Sequence, residues 1–246
     1  MPDIAYQLYC SRNFPPLSET CKMLGEAGYK NVEGFGGLFD DMDGLQHALE
    51  LGGLSMTSSH MGLDLVIGDP QKALEIAKKF EMKKVYVPFI MPDDRPKDAA
   101  GWTAFGEKLA EAGKQFIDNG IDFGWHNHDF EFVATPEGAL PIDLIVEAGV
   151  GLELDLGWVA RAGHDPVAWI EKYAGKISGA HVKDIAAPGE CADEDGWADV
   201  GHGVMDWKAI TAALSAAGVD YYVVEHDNPN DAARFAQRSI QFIKEL

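Results

Sequence analysis

A strand-like run followed by a helix-like run, repeated eight times, constrains this chain more than any other feature. Ile4–Tyr9 reads as a strand, and Leu17–Ala27 places Leu17, Cys21 and Leu24 at helical spacing before a stop at Gly28. Asn31–Phe35 is the second strand, and the helix Met42–Leu51 ends at Gly52-Gly53. Leu54–Ser59 is the third strand and runs into His60. Asp69-Pro70 then opens a helix to about Met82, because Asp accepts from the free N–H groups of a first turn and Pro suits that turn. Lys84–Phe89 is the fourth strand, and a polar loop from Met91 to Asp98 leads into a long helix, Ala99–Asn119.

The second half repeats the scheme. The fifth strand begins at Ile121 and carries Phe123 and Trp125, and the helix Pro136–Ala148 closes at Gly149. Val150–Leu156 is the sixth strand, and Asp165-Pro166 caps a helix to about Ala174. Ile177–Val182 is the seventh, followed by an acidic loop from Asp184 to Gly203 and a helix, Trp207–Ala217, capped by Asp206. Tyr221–Glu225 is the eighth, and a helix from about Asp231 to Leu246 follows. Units of about 30 residues have the size of a βαβ repeat. Eight of them predict an α/β fold, a (β/α)8 TIM barrel spanning residues 1–246 as one domain. The competing open sheet would want a glycine-rich phosphate loop; Gly34-Phe35-Gly36-Gly37 is not one, and no Walker A sequence occurs.

Composition narrows the partners. The formal charge is −20, which disfavours nucleic acid and anionic membrane. No apolar run is long enough to span a bilayer, and Met1 to Tyr6 has no basic segment ahead of an apolar one. Cys10, Cys21 and Cys191 are three, without CxxC spacing, which suits a reducing compartment. The expectation is a cytoplasmic protein acting on a small molecule.

The chemistry collects at the carboxyl ends of the strands, which in a barrel converge on one mouth. Glu33, His60, the pair His126 and His128, Glu153 with Asp155, His181 with Lys183, and Glu225 with Asp227 occupy six of the eight ends. Alternation along strand five puts His126 and His128 on one face and Asn127 and Asp129 on the other, and two imidazoles at that spacing suit a metal that takes nitrogen ligands.

Four segments resemble a known group. Trp125-His126-Asn127-His128-Asp129-Phe130-Glu131-Phe132, Leu154-Asp155-Leu156-Gly157-Trp158-Val159, His181-Val182-Lys183-Asp184 and Val224-Glu225-His226-Asp227 are similar to the sugar phosphate isomerase/epimerase group of the xylose isomerase-like TIM barrels. Gly201-His202-Gly203 and Asp206-Trp207 resemble that group's segment after strand seven. The resemblance implies one divalent ion held by His126, Asp155, His181 and Glu225. His126 stands where the commoner pattern has Glu, with His128 and Glu131 as alternatives. Two imidazoles and two carboxylates suit Mn²⁺ first, then Zn²⁺, Co²⁺ or Fe²⁺, since Mg²⁺ and Ca²⁺ prefer oxygen shells.

Such a site implies a sugar or keto-sugar isomerase or epimerase, working by proton abstraction next to a carbonyl through a metal-bound enediolate. Glu225 is the expected base. Lys183 and Glu131 are further catalytic candidates, Glu153 lies one pleat deeper, and Glu33, His60, His128, Trp158 and His202 are candidates for contacting substrate. Arg12, Arg161 and Lys183 are scattered, so no phosphate-binding cluster is legible and an unphosphorylated sugar is expected. An inosose-type dehydratase or a 3-keto-glycoside lyase would use the same site. A non-catalytic sugar-binding barrel and an abasic-site endonuclease are the readings from other classes, and the charge opposes the endonuclease. Barrels of this kind often pair, so a homodimer is expected.

Overall fold

The computed structural model describes residues 2–14 and 16–246. Eight parallel strands close into a barrel: β1 (Asp3–Gln7), β2 (Asn31–Gly34), β3 (Ser55–His60), β4 (Lys84–Val87), β5 (Asp122–His126), β6 (Gly151–Asp155), β7 (Ile177–Val182) and β8 (Tyr221–Val224). Each pairs with its sequence neighbours, and β1 closes on β8 with Asp3 opposite Tyr221. The outer helices are α1 (Leu17–Ala27), α2 (Met42–Gly52), α3 (Pro70–Lys79), α4 (Ala99–Ile117), α5 (Pro141–Glu147), α6 (Pro166–Lys172), α7 (Trp207–Ala216) and α8 (Ala232–Glu245). The barrel expected from the eightfold alternation is the fold observed.

Local chemistry accounts for the boundaries. Asp69, Asp165 and Asp206 cap their helices by accepting from the N–H groups of Lys72, Val167 and Ala209. At the opposite end α1 stops at Gly28, whose φ of 97° is open to glycine at no steric cost. Strand four is shorter than the run that marks it because Pro88 and Phe89 continue into the loop at the mouth, and strand six because Val150 precedes it and Leu156 already opens a short helix. Helix α5 starts at Pro141 and not at Pro136, since a turn intervenes in which the Gly138 N–H donates to the Thr135 carbonyl.

Three small elements were not legible. Leu63–Val66 and Leu156–Arg161 are single-turn or two-turn helices leaving β3 and β6. Asp184–Ile185 and Trp197–Ala198 form an antiparallel hairpin inside the acidic loop. Asp184 organises that loop: its carboxylate accepts from the N–H groups of Ile185, Gly201, Gly203 and Met205 and from Trp207 Nε1.

Register matters for the site. Neighbouring strands slip by one residue between Val32 and Glu33 and again between Leu152 and Glu153, leaving Thr57 and Ser178 as the extra residues on β3 and β7. Bulges re-aim side chains, and both slips fall immediately before a fully buried carboxylate.

Candidate metal centre and active site

Four barrel strands end at a common point. His126 closes β5, Asp155 closes β6, His181 lies one residue before the end of β7, and Glu225 follows β8 directly. Asp155 and His181 are direct neighbours across the β6–β7 pair. One ligand atom from each of the four lies within 4.8 Å of every other. His181 Nδ1 is 2.8 Å from Glu225 Oε2 and 3.8 Å from Asp155 Oδ2, and His126 Nε2 is 3.9 Å from Asp155 Oδ2. All four side chains are buried.

The residues fit a divalent ion. Asp155 Oδ1 caps the short helix through the Trp158 N–H, while Oδ2 is buried with no hydrogen-bond partner among the described residues. An unsatisfied buried carboxylate oxygen is costly unless something binds it. Burial pushes the Asp155 carboxyl up to about 7 despite the pull of Lys183. Burial, then the neighbouring His181, His60 and His128, hold the His126 imidazole well below the ordinary range, so it is neutral and able to ligate. Burial would raise Glu225, but Lys183 and His181 together keep it well below the usual carboxylate range.

Lys183 is fully buried against the faces of Trp158 and Trp197, with Nζ 4.8 and 4.3 Å from their centroids. Its Nζ lies 2.6 Å from Asp227 Oδ2, 3.3 Å from Glu225 Oε2 and 3.8 Å from Asp155 Oδ2. Burial opposes its charge, and the three carboxylates outweigh burial, so the ammonium is held protonated. Deeper in the barrel, Glu33 and Glu153 face the inner sides of the imidazoles, and His60 Nε2 lies 2.7 Å from Glu153 Oε2 and 3.1 Å from Glu33 Oε1. Gln7 and Ser58 donate to Glu33 at 2.8 and 2.5 Å.

A cavity of about 480 Å³ opens onto this cluster. Tyr9, Phe35 and Phe89 form its apolar wall, His60, His126 and His128 its floor, and Asp64, Glu225 and Asp227 its acidic side. Among the described residues no Lys or Arg side chain lines it. A larger groove of about 720 Å³ near Pro2, Asp220 and Lys244 holds none of the ligand cluster.

Of the residues singled out from sequence, the structure brings together His126, Asp155, His181, Glu225, Lys183, Glu33 and His60. His128 joins the cavity wall, its ring 5.1 Å from that of His126. Trp158 backs Lys183 and His128 and does not line the cavity. Like Trp158, Glu33 was expected to contact substrate and does not line the cavity, being fully buried beneath the cluster. Two further residues are corrected. Glu131 faces away: one oxygen accepts from Trp125 Nε1 at 2.7 Å and the other from the His128 N–H at 2.9 Å, so it braces the loop after β5. His202 is exposed beyond the hairpin, where its N–H donates to the Asp199 carbonyl. Gln7 and Trp197 carry no sequence signal as site residues, and Asp227 is placed at the mouth by sequence but given no role there. Asp227, two residues past Glu225 and so on the same face, was the one with a readable signal.

A TIM barrel carrying a His/Asp/His/Glu cluster at its carboxyl-end mouth defines the class. Over residues 24–246 the chain matches the family described as xylose isomerase-like TIM barrel, and it belongs to that family. Rhizopine catabolism protein MocC of Rhizobium meliloti is 29% identical over 145 residues, 53% of this chain and 45% of that protein. Inosose dehydratase of Clostridium beijerinckii is 31% identical over 90 residues, 35% of this chain and 29% of that protein. The matches thus span less than half the length of these curated relatives. Among solved structures, a sugar phosphate isomerase/epimerase from Parabacteroides distasonis has the same fold, with a TM-score of 0.81 at 20% identity, covering 99% of this chain and 94% of that one. The IolI protein, solved with a zinc atom, gives 0.76 at 16% identity, covering 100% and 97%.

Proposed function

We propose that this protein is a divalent-metal-dependent isomerase or epimerase of an unphosphorylated sugar or keto-sugar. The observation that carries the reading is the convergence of His126, Asp155, His181 and Glu225 from four adjacent strands, with Asp155 Oδ2 unsatisfied, at the floor of a sugar-sized cavity. These four residues would hold the ion. When bound, it would supply Lewis acidity at a substrate oxygen, for which Mn²⁺ or Zn²⁺ suits the donor set; the zinc in the IolI structure supports the second.

The chain supplies the proton chemistry. Glu225 is the base: Lys183 and His181 hold it ionised, and it faces the cavity. Lys183, kept cationic by Asp227, Glu225 and Asp155, stands behind Glu225 outside the cavity lining and holds that base ionised. His128 reaches substrate hydroxyls from the floor, and Tyr9, Phe35 and Phe89 exclude water from the apolar side. The acidic wall and the absence of Lys or Arg from the lining support a substrate without phosphate. The same groups would serve a dehydration, and the match to inosose dehydratase supports that as the second reading.

Solvent deuterium exchange over a panel of keto-sugars and polyol ketones, with Mn²⁺ supplied, tests the proposal. Label appearing next to a carbonyl, with a rearranged product, supports isomerisation or epimerisation. Loss of water with label in the product moves the assignment to a dehydratase. No exchange across the panel refutes both.

A further inference from the structure

Beneath the proposed ligands the barrel interior holds two carboxylates with no counterpart in the proton chemistry above. Glu33 and Glu153 have no exposed surface, and both sit where the sheet register slips. Their partners are the inward-facing nitrogens of the imidazoles. His181 Nε2 lies 2.8 Å from Glu33 Oε1 and 3.1 Å from Glu153 Oε2, while its Nδ1 faces Glu225 and Asp155. His126 Nδ1 lies 3.3 Å from the same Glu153 oxygen, too oblique for a hydrogen bond, while its Nε2 faces Asp155. Each imidazole therefore shows one nitrogen to the mouth and the other to a buried carboxylate.

In the metal-free chain both nitrogens of His181 face carboxylates, but Glu225 and Asp155 belong to the proposed ligand set and would turn to an ion with the outward nitrogen, whereas Glu33 and Glu153 can only accept and would keep the proton on the inward one. Resting on the reading of the cluster as a metal site, we infer that Glu153, assisted by Glu33, is a positioning residue: it fixes His181 to ligate through Nδ1 and His126 through Nε2. His60, bridging the two carboxylates, keeps Glu153 turned toward both rings. The register slips have a purpose on this account. Without them, Glu33 and Glu153 would stand in a different relation to β3 and β7, the strands that bring His60 and His181.

The inner ring of His60, His126, Glu153 and His181 is compact enough to be weighed as a cation site itself. Occupying it together with the outer set would need both His126 and His181 to bridge two ions as imidazolates. The single-ion arrangement with carboxylates behind the imidazoles follows the usual pattern at metal centres.

Zn²⁺ affinity, measured by competition with a chromophoric chelator on the intact chain, separates the alternatives. Glu153→Gln offers one acceptor oxygen in place of two and frees the ring tautomers. Its Zn²⁺ affinity is expected to fall by about 10–100-fold, with Glu153→Asp between it and the wild type, and with the melting temperature of the metal-free protein unchanged. A lower metal-free melting temperature with unaltered affinity marks a merely structural role and overturns the inference. Nitrogen-15 spectra of the wild-type imidazoles with Zn²⁺ bound need no variant: a proton on His181 Nε2 and His126 Nδ1 supports it, and the reverse tautomers overturn it. Two Zn²⁺ per chain also overturn it, by making the inner ring a site in its own right. A wild-type chain that binds no Zn²⁺ removes the metal reading beneath it, whereas normal wild-type affinity matched by Glu153→Gln removes this inference alone.

Discussion

The Lys183 ammonium stands 2.6 Å from the Asp227 carboxylate, at the edge of the proposed ligand cluster and wedged against two indoles. This pairing keeps a cation beside Glu225 without an exposed lysine. Lys183→Met retains the packing against Trp158 and Trp197 and removes only the charge. Turnover is expected to drop by about 10²–10⁴-fold, the usual worth of a general base, because Glu225 loses the cation that holds it ionised, while metal content stays at the wild-type level. Steady-state kinetics with elemental analysis checks both halves; unchanged turnover would take Lys183 out of the proposed chemistry.

Asp155 divides its two oxygens between a helix cap and the mouth. Asn caps helices as well as Asp does, so Asp155→Asn should fold normally and keep its melting temperature in the absence of metal. Its affinity for the ion should fall by more than about 100-fold, because even groups behind the ligands are worth about 10–100-fold. Dialysis followed by metal analysis gives the answer.

Asp184 gathers five donors from the loop between β7 and α7. Asp184→Ala leaves buried N–H groups unmet and is expected to destabilise the fold by at least about 3 kcal/mol. Urea denaturation measures that loss, and limited proteolysis should then cut first between Ala186 and Gly203.

Glu131 supplies a pH signature. Burial pushes its carboxyl up to about 8, against the pull of Trp125 Nε1 and the His128 N–H. Its folded value lies above its unfolded one, so the folded state holds the proton more tightly. That contribution is fully present at acid pH and is lost as pH rises through about 8, at roughly 1.4 kcal/mol per pH unit across the window. Relative to the wild type, Glu131→Gln should gain stability as pH climbs from about 5 to about 8. Melting curves at several pH values test the trend, and a constant offset between the two proteins would count against it.

Adding Zn²⁺ or Mn²⁺ to the metal-free chain should raise its melting temperature. Saturation at about 100 times the dissociation constant is worth about 2.7 kcal/mol. Asp155→Asn should show almost none of this rise.

The barrel was legible because its signals are local. Strands read as short apolar runs, and Asp69, Asp165 and Asp206 announced helices through hydrogen bonds made within three residues. Barrel geometry made it legible that polar residues at six strand ends share one mouth, and the family resemblance then singled out His126, Asp155, His181 and Glu225 among them. Glu131 and His202 show where that logic stops: both lie past a strand end, where the loop decides direction, and the loops turned one into the wall and the other into solvent.

The amino-acid order by itself determined the eightfold alternation, the helix caps and which strand ends carry titratable side chains, since these follow from periodicity, short-range hydrogen bonding and position in the chain. Only the tertiary structure decided which nitrogen of each imidazole faces the mouth, that Lys183 is held by Asp227 between Trp158 and Trp197, and that Glu33 and Glu153 stand behind the imidazoles. Those relations join residues tens to more than a hundred positions apart, and strand register and side-chain packing set them, neither of which leaves a local mark in the chain.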